Sequence, residues 1–75
     1  FTVTDNLVTH SGGDGIDIND AGLFFVGGNT LIGNWDNGIE ISNSGLFDVH
    51  GNNVWLNGND GINITESGTF TVHYN

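Results

Sequence analysis

Three stretches decide the fold: "DGIDINDAG" (Asp14 to Gly22), "NGIEISNSG" (Asn37 to Gly45) and "DGINITESG" (Asp60 to Gly68). They are versions of one phrase, and the similarity extends outward from them without a gap at a spacing of 23 residues. Phe1, Phe24, Phe47 and Phe70 align, as do Val3, Val26, Val49 and Val72, and then Asn6, Asn29, Asn52 and Asn75. Ile16, Ile39 and Ile62 fall in one column and Ile18, Ile41 and Ile64 in another. The chain is therefore one repetitive unit over 1–75, with coils at 1–23, 24–46 and 47–69 and a partial coil at 70–75.

Inside each coil the apolar residues alternate: Phe24 and Val26, then Leu31, then Ile39 and Ile41. This is strand periodicity in three short bursts, and nothing repeats at helical spacing. Between the bursts stand "GGN", "GNWDNG" and "SNSG", built from residues that tolerate tight or left-handed backbone. A unit of three short strands cannot cover its own inward face, so it must stack on copies of itself, one strand spacing of roughly 4.8 Å apart. The expected fold is all-β: a right-handed parallel β-helix solenoid of about three and a quarter coils, uncapped. The right-handed sense follows from the preference of parallel crossovers, and left-handed β-helices run on hexapeptides, of which 23 is not a multiple. A flat antiparallel meander would explain the alternation but not the gapless period.

"NTLIGNWDNGIEIS" and "NNVWLNGNDGINIT" resemble the repeats of right-handed parallel β-helix proteins, the pectate-lyase-like superfamily. In that superfamily an Asn ladder marks the bend between the second and third strands. The resemblance implies that "GIDI", "GIEI" and "GINI" are first strands, "FFV" and "FDV" second strands, and "TLI" and "VWL" third strands. It makes Asn6, Asn29, Asn52 and Asn75 the structural ladder, with Ser11, Asn34 and Asn57 as a partial second one. Asn accepts left-handed backbone at modest cost, so the ladder residues are expected to take that conformation while their amides bond in series. The resemblance is specific for fold and not for function, since the scaffold serves polysaccharide lyases and hydrolases, tailspikes, adhesins and fibrous surface proteins.

Composition narrows the function. The chain has nine Asp plus Glu, no Lys, Arg, Cys, Met or Pro, and a formal charge of -9. Phosphates cannot be neutralised by such a chain, so nucleic acid is not an expected partner. Disulfides and thiolate metal sites are excluded, and no apolar run approaches a membrane span. Enzymes of the resembled fold usually work on the outer face of the first strand, where Asp17, Glu40 and Asn63 stack. A pectate-lyase-type reaction would need acidic calcium ligands together with a basic residue, and the basic half is missing. A carboxylate pair on adjacent coils would fall near the spacing of a retaining glycosidase, but any acidic β-helix offers such pairs, and the chain is not expected to be an enzyme.

The acids are spread so that like charges rarely meet. The columns Asp14, Asn37, Asp60 and Asp20, Asn43, Glu66 alternate charged with neutral, which places like charges near 10 Å apart, about a Debye length. Only Asp17 and Glu40 are direct acidic neighbours, and with Asn63 they make a candidate calcium site, calcium being the one cofactor the sequence suggests. Two His, His50 and His73, share an outward column, which favours a surface stack over a two-His metal site; His10 stands apart. Phe25, Ile32, Trp35 and Trp55 are expected outward as a lateral contact patch.

The first segment "FTVTDN" and the last "FTVHYN" both obey the repeat, so no cap is expected, and a start at Phe1 without Met points to a processed or partial product. The expected role is a structural or adhesive segment of an extracellular filament, sheath or surface rod. Its partner would be itself, end to end and laterally. The alternative is a fragment of a polysaccharide-degrading or carbohydrate-binding β-helix, whose partner would be an extracellular polysaccharide. Membrane insertion is not expected.

Overall fold

The computed structural model describes residues 1–75 as ten short strands and no helix. In chain order these are β1 (Thr2–Thr4), β2 (Leu7–Thr9), β3 (Ile16–Asn19), β4 (Leu23–Gly27) and β5 (Thr30–Ile32), followed by β6 (Ile39–Ser42), β7 (Leu46–His50), β8 (Asn53–Trp55), β9 (Ile62–Thr65) and β10 (Phe70–His73). They sort into three parallel sheets: β1-β4-β7-β10, β2-β5-β8 and β3-β6-β9. Register follows the repeat, with Val26 beside Val49, Leu31 beside Val54 and Ile41 beside Ile64. The expected parallel solenoid is what forms, as a body of 29 × 20 × 18 Å.

The core is the inside of the coils. Ile18, Phe24, Val26, Leu31, Ile39, Ile41, Phe47 and Val49 are buried, with Val3, Val8, Ile16, Val54, Ile62 and Ile64 packed around them. The Phe column forms a continuous stack: Phe1, Phe24, Phe47 and Phe70 follow at centroid spacings of 5.0, 4.8 and 5.0 Å with planes within 7° of parallel. Those spacings lie close to the rise of one strand, so the backbone repeat sets the ring separation. Axial hydrogen bonds also continue outside the strands, as in Gly15 N–H to the Asn37 carbonyl and Gly38 N–H to the Asp60 carbonyl, each 3.0 Å.

At the bends the structure corrects one expectation. The left-handed residue is not the ladder Asn but the residue before it. Asp5, Gly28, Gly51 and Tyr74 carry φ of 58°, 68°, 71° and 54°. His10, Gly33 and Leu56 repeat the pattern at the second corner, and Asp20, Asn43 and Glu66 at the third. The left-handed residue turns the chain, which leaves the next side chain free to point along the coil axis and bond to its neighbours.

Gly15, Gly38 and Gly61 form a further column, and their backbone is not left-handed. A Cβ on Gly38 would stand 2.3 Å from Val54 Cγ1 and 2.6 Å from the Gly61 carbonyl oxygen. The column is glycine because one coil passes too close to the next for any side chain.

Candidate functional site

The ladders are the most regular polar feature. Asn29 Oδ1 accepts the backbone N–H of Asn6 at 3.0 Å and its side-chain amide at 2.9 Å. Asn29 Nδ2 donates to the Val3 carbonyl at 2.8 Å and to Asn52 Oδ1 at 2.9 Å. Asn52 repeats this with Val26 and Asn75. The second corner does the same through Ser11, Asn34 and Asn57. A third ladder runs through Ala21, Ser44 and Ser67: the Ala21 and Ser44 backbone N–H groups each reach the next coil's Ser hydroxyl at 3.3 Å. No buried side-chain nitrogen or oxygen lacks a partner. The buried members of these columns satisfy one another.

The column Asp14, Asn37, Asp60, which alternates charged with neutral, is also a ladder. Asp14 Oδ1 accepts the Asn37 N–H at 2.9 Å, and Asn37 Oδ1 accepts the Asp60 N–H at 3.0 Å. Asn37 is buried. The position needs only an acceptor oxygen, which Asp and Asn both supply, so the two letters interchange from coil to coil.

Asp17, Glu40 and Asn63 stand in one register row on β3, β6 and β9. Glu40 Oε2 accepts amide hydrogens from Asn63 at 2.8 Å and from Asn37 at 3.0 Å. Two neutral dipoles thus solvate the carboxylate beside Asp17, and Asn63 turns its donor toward Glu40 rather than its oxygen.

Ile32 and Trp55 are register partners on β5 and β8, and Trp35 lies in the turn after β5 with its side chain in water. Phe25 stands apart from these three, on β4 in a different sheet. Its ring lies over Gly27, where a Cβ would meet the ring at 2.1 Å, and 5.8 Å from the His50 ring. The missing side chain at Gly27 makes the space into which Phe25 folds.

Beside Phe25 the structure assembles a polar cluster from two neighbouring columns of the repeat. Asp48 and His50 point outward from β7, and their register partners on β10 are Thr71 and His73. The Thr71 hydroxyl donates to Asp48 Oδ1 at 2.5 Å, and His73 Nε2 lies 3.1 Å from the same oxygen. The His50 and His73 rings stack at 4.5 Å and 5°. The Thr71 hydroxyl, and after it the His73 and His50 imidazoles, hold the Asp48 carboxyl below the usual carboxylate range against the desolvation that raises it. The signal was present in the sequence: outward positions two apart on one strand recur 23 residues later as Thr71 and His73.

One groove of about 300 Å³ runs along the Phe column, lined by Phe24, Phe47 and Phe70 with Leu23, Leu46, Asp48 and two threonines. Apart from Asp48 it brings no titratable group toward its apolar wall.

A family description, "Right handed beta helix region", matches residues 1–75. The chain belongs to the right-handed β-helix family. No curated protein and no solved structure matches it. As a right-handed β-helix, it has three-stranded coils, an inward Phe, Val and Ile core and ladders at the corners.

Proposed function

We propose that this right-handed β-helix is a structural or adhesive segment of an extracellular or cell-surface rod, and not an enzyme. The observation that carries the reading is the sameness of the axial contact at every step. The Phe stack, the Asn ladder and the strand register meet each successive coil in the same way. On their outer sides β1 and β10 carry an unpaired row of backbone groups and a partly exposed Phe. A further coil, of the same polypeptide or of another copy, is the partner that fits such a row. The lack of Lys and Arg leaves no trypsin-like cleavage sites, which suits an extracellular setting.

Electron microscopy and fibre diffraction test this. Continuous rods with an axial repeat near 4.8 Å support it; dispersed particles at high concentration, with cleavage of a glycan, overturn it.

A second reading, carbohydrate binding, is favoured by Trp35 and Trp55, which remain 80% and 50% exposed. Indole faces stack on sugar rings, and with a charge of -9 a neutral glycan would be the better tolerated one. Quenching of tryptophan fluorescence by a neutral polysaccharide, abolished in Trp35→Ala and Trp55→Ala, is its signature. For calcium to take Asn63 as a ligand beside Asp17 and Glu40, the Asn63 amide, which donates its nitrogen to Glu40 Oε2, would have to turn over. A calorimetric titration showing no heat removes calcium from the proposal.

A further inference from the structure

We infer that Asp48, His50 and His73 form a surface binding site for a borderline divalent transition-metal ion of the zinc or copper type. Each supplies one ligand atom, and these atoms all lie within 4.8 Å of one another. The donor set of two imidazoles and one carboxylate suits such an ion better than calcium, which prefers an all-oxygen shell. The chain has no Lys or Arg, so the field around its nine acids draws positive ions from solution.

Two features support the three ligands. The Thr71 hydroxyl is bonded to Asp48 Oδ1, so it holds the carboxylate on the side where His73 Nε2 already approaches. This is the outer-shell role that fixes a ligating carboxylate. The flanks are aromatic: Phe25 stands 5.8 Å from the His50 ring, and the Tyr74 ring stands 5.2 Å from that of His73. They shield the imidazoles laterally and leave the outer face open.

The stacked pair is a resting arrangement. Parallel imidazoles direct their in-plane lone pairs side by side, so one ring must swing for both to reach an ion at about 2.0 to 2.1 Å. His73 has the room, with its side chain 42% exposed. The ion would join β7 to β10 through side chains, fastening one coil to the next at a strand that is otherwise exposed along its whole length.

The test is a titration of the chain with zinc, and separately with calcium, after chelator treatment. Zinc is expected to bind one to one, to raise the melting temperature by mass action, and to shift the ring proton resonances of His50 and His73 while leaving those of His10 in place. His50→Ala, His73→Ala and Asp48→Asn are each expected to weaken zinc binding about tenfold or more, and Thr71→Val by a similar factor through the carboxylate it holds. His10→Ala should leave binding unchanged. The proton resonances are read on the unsubstituted chain, so the result does not depend on a variant folding. Absence of binding, equal movement of all three His, or equal response to calcium would each overturn the assignment.

Discussion

Asn52 Oδ1 accepts two hydrogen bonds from Asn29, one from its backbone N–H at 3.0 Å and one from its side-chain amide at 2.9 Å. The same Asn29 amide also donates to Val3 one coil back. One buried side chain therefore ties together three successive coils. Its value lies less in the bonds made than in the groups that would be left unpaired without it.

Asn29→Ala strands the Val3 carbonyl and the Asn6 N–H. Both groups are only part-buried, so at about 1 to 3 kcal/mol for a fully buried orphan the variant should lose roughly 2 kcal/mol. Urea denaturation measures the loss. Asn29→Asp keeps the acceptor but loses both donors and places a charge where the Asn is fully buried, so it should lose at least as much. A cost below about 1 kcal/mol for both would mean that the ladder is ornamental.

Leu56 has a left-handed φ of 55° in a column where the preceding coil has Gly33, and its side chain is 72% exposed. Left-handed backbone costs a residue with a Cβ about 1 to 2 kcal/mol, and glycine gives back about 0.5 to 1 of this through its freer unfolded chain. Leu56→Gly should therefore stabilise by up to about 1 kcal/mol, visible as a higher melting temperature. Destabilisation would show that Leu56 makes contacts that outweigh its strain.

Gly38 and Gly61 share a column but not an environment. A Cβ on Gly38 would clash at 2.3 Å, whereas on Gly61 its nearest neighbour would be Val54 Cγ1 at 3.6 Å, an ordinary contact. Gly38→Ala should cost about 1 to 3 kcal/mol or more, and Gly61→Ala close to nothing. Equal effects of the two substitutions would contradict the close approach between coils.

The depressed Asp48 carboxyl gives stability a sign with pH. Because its folded pKa lies below the unfolded value of about 3.9, its contribution is present above that value and is lost as pH falls through the folded one. In chelator, the unsubstituted chain should therefore be more stable than Asp48→Asn at pH 5 to 7, with the gap closing toward pH 2. Thr71→Val should narrow the gap first, since the Thr71 hydroxyl is the largest cause of the depression. A gap that widens on acidification would reverse the assignment.

The fold was legible because a strict repeat exposes its own geometry: once Phe1, Phe24 and Phe47 align, stacking and register follow together. The Asn ladders were legible for the same reason. Less visible was what each corner does with its backbone, because the left-handed position admits Asp, His, Leu, Tyr and Glu as well as glycine, and composition alone does not mark it. Asn37 looked like a spacer between charges because a column shows which residues stack but not which way they face. The Asp48 cluster was hidden by reading columns singly, when His73 meets Asp48 along a diagonal between two of them.

The ladders also run in opposite directions. Along the Asn columns each coil gives its N–H forward to the next coil's oxygen, as from Asn6 to Asn29. Along Asp14, Asn37 and Asp60 the later coil gives its N–H back to the earlier one. Each coil thus presents donors forward at the Asn corners and an acceptor forward in the Asp14 column, with the reverse on its other face. Reversing one coil would set donor against donor at the Asn corners and acceptor against acceptor in the Asp14 column, so the stack of coils has a built-in arrow.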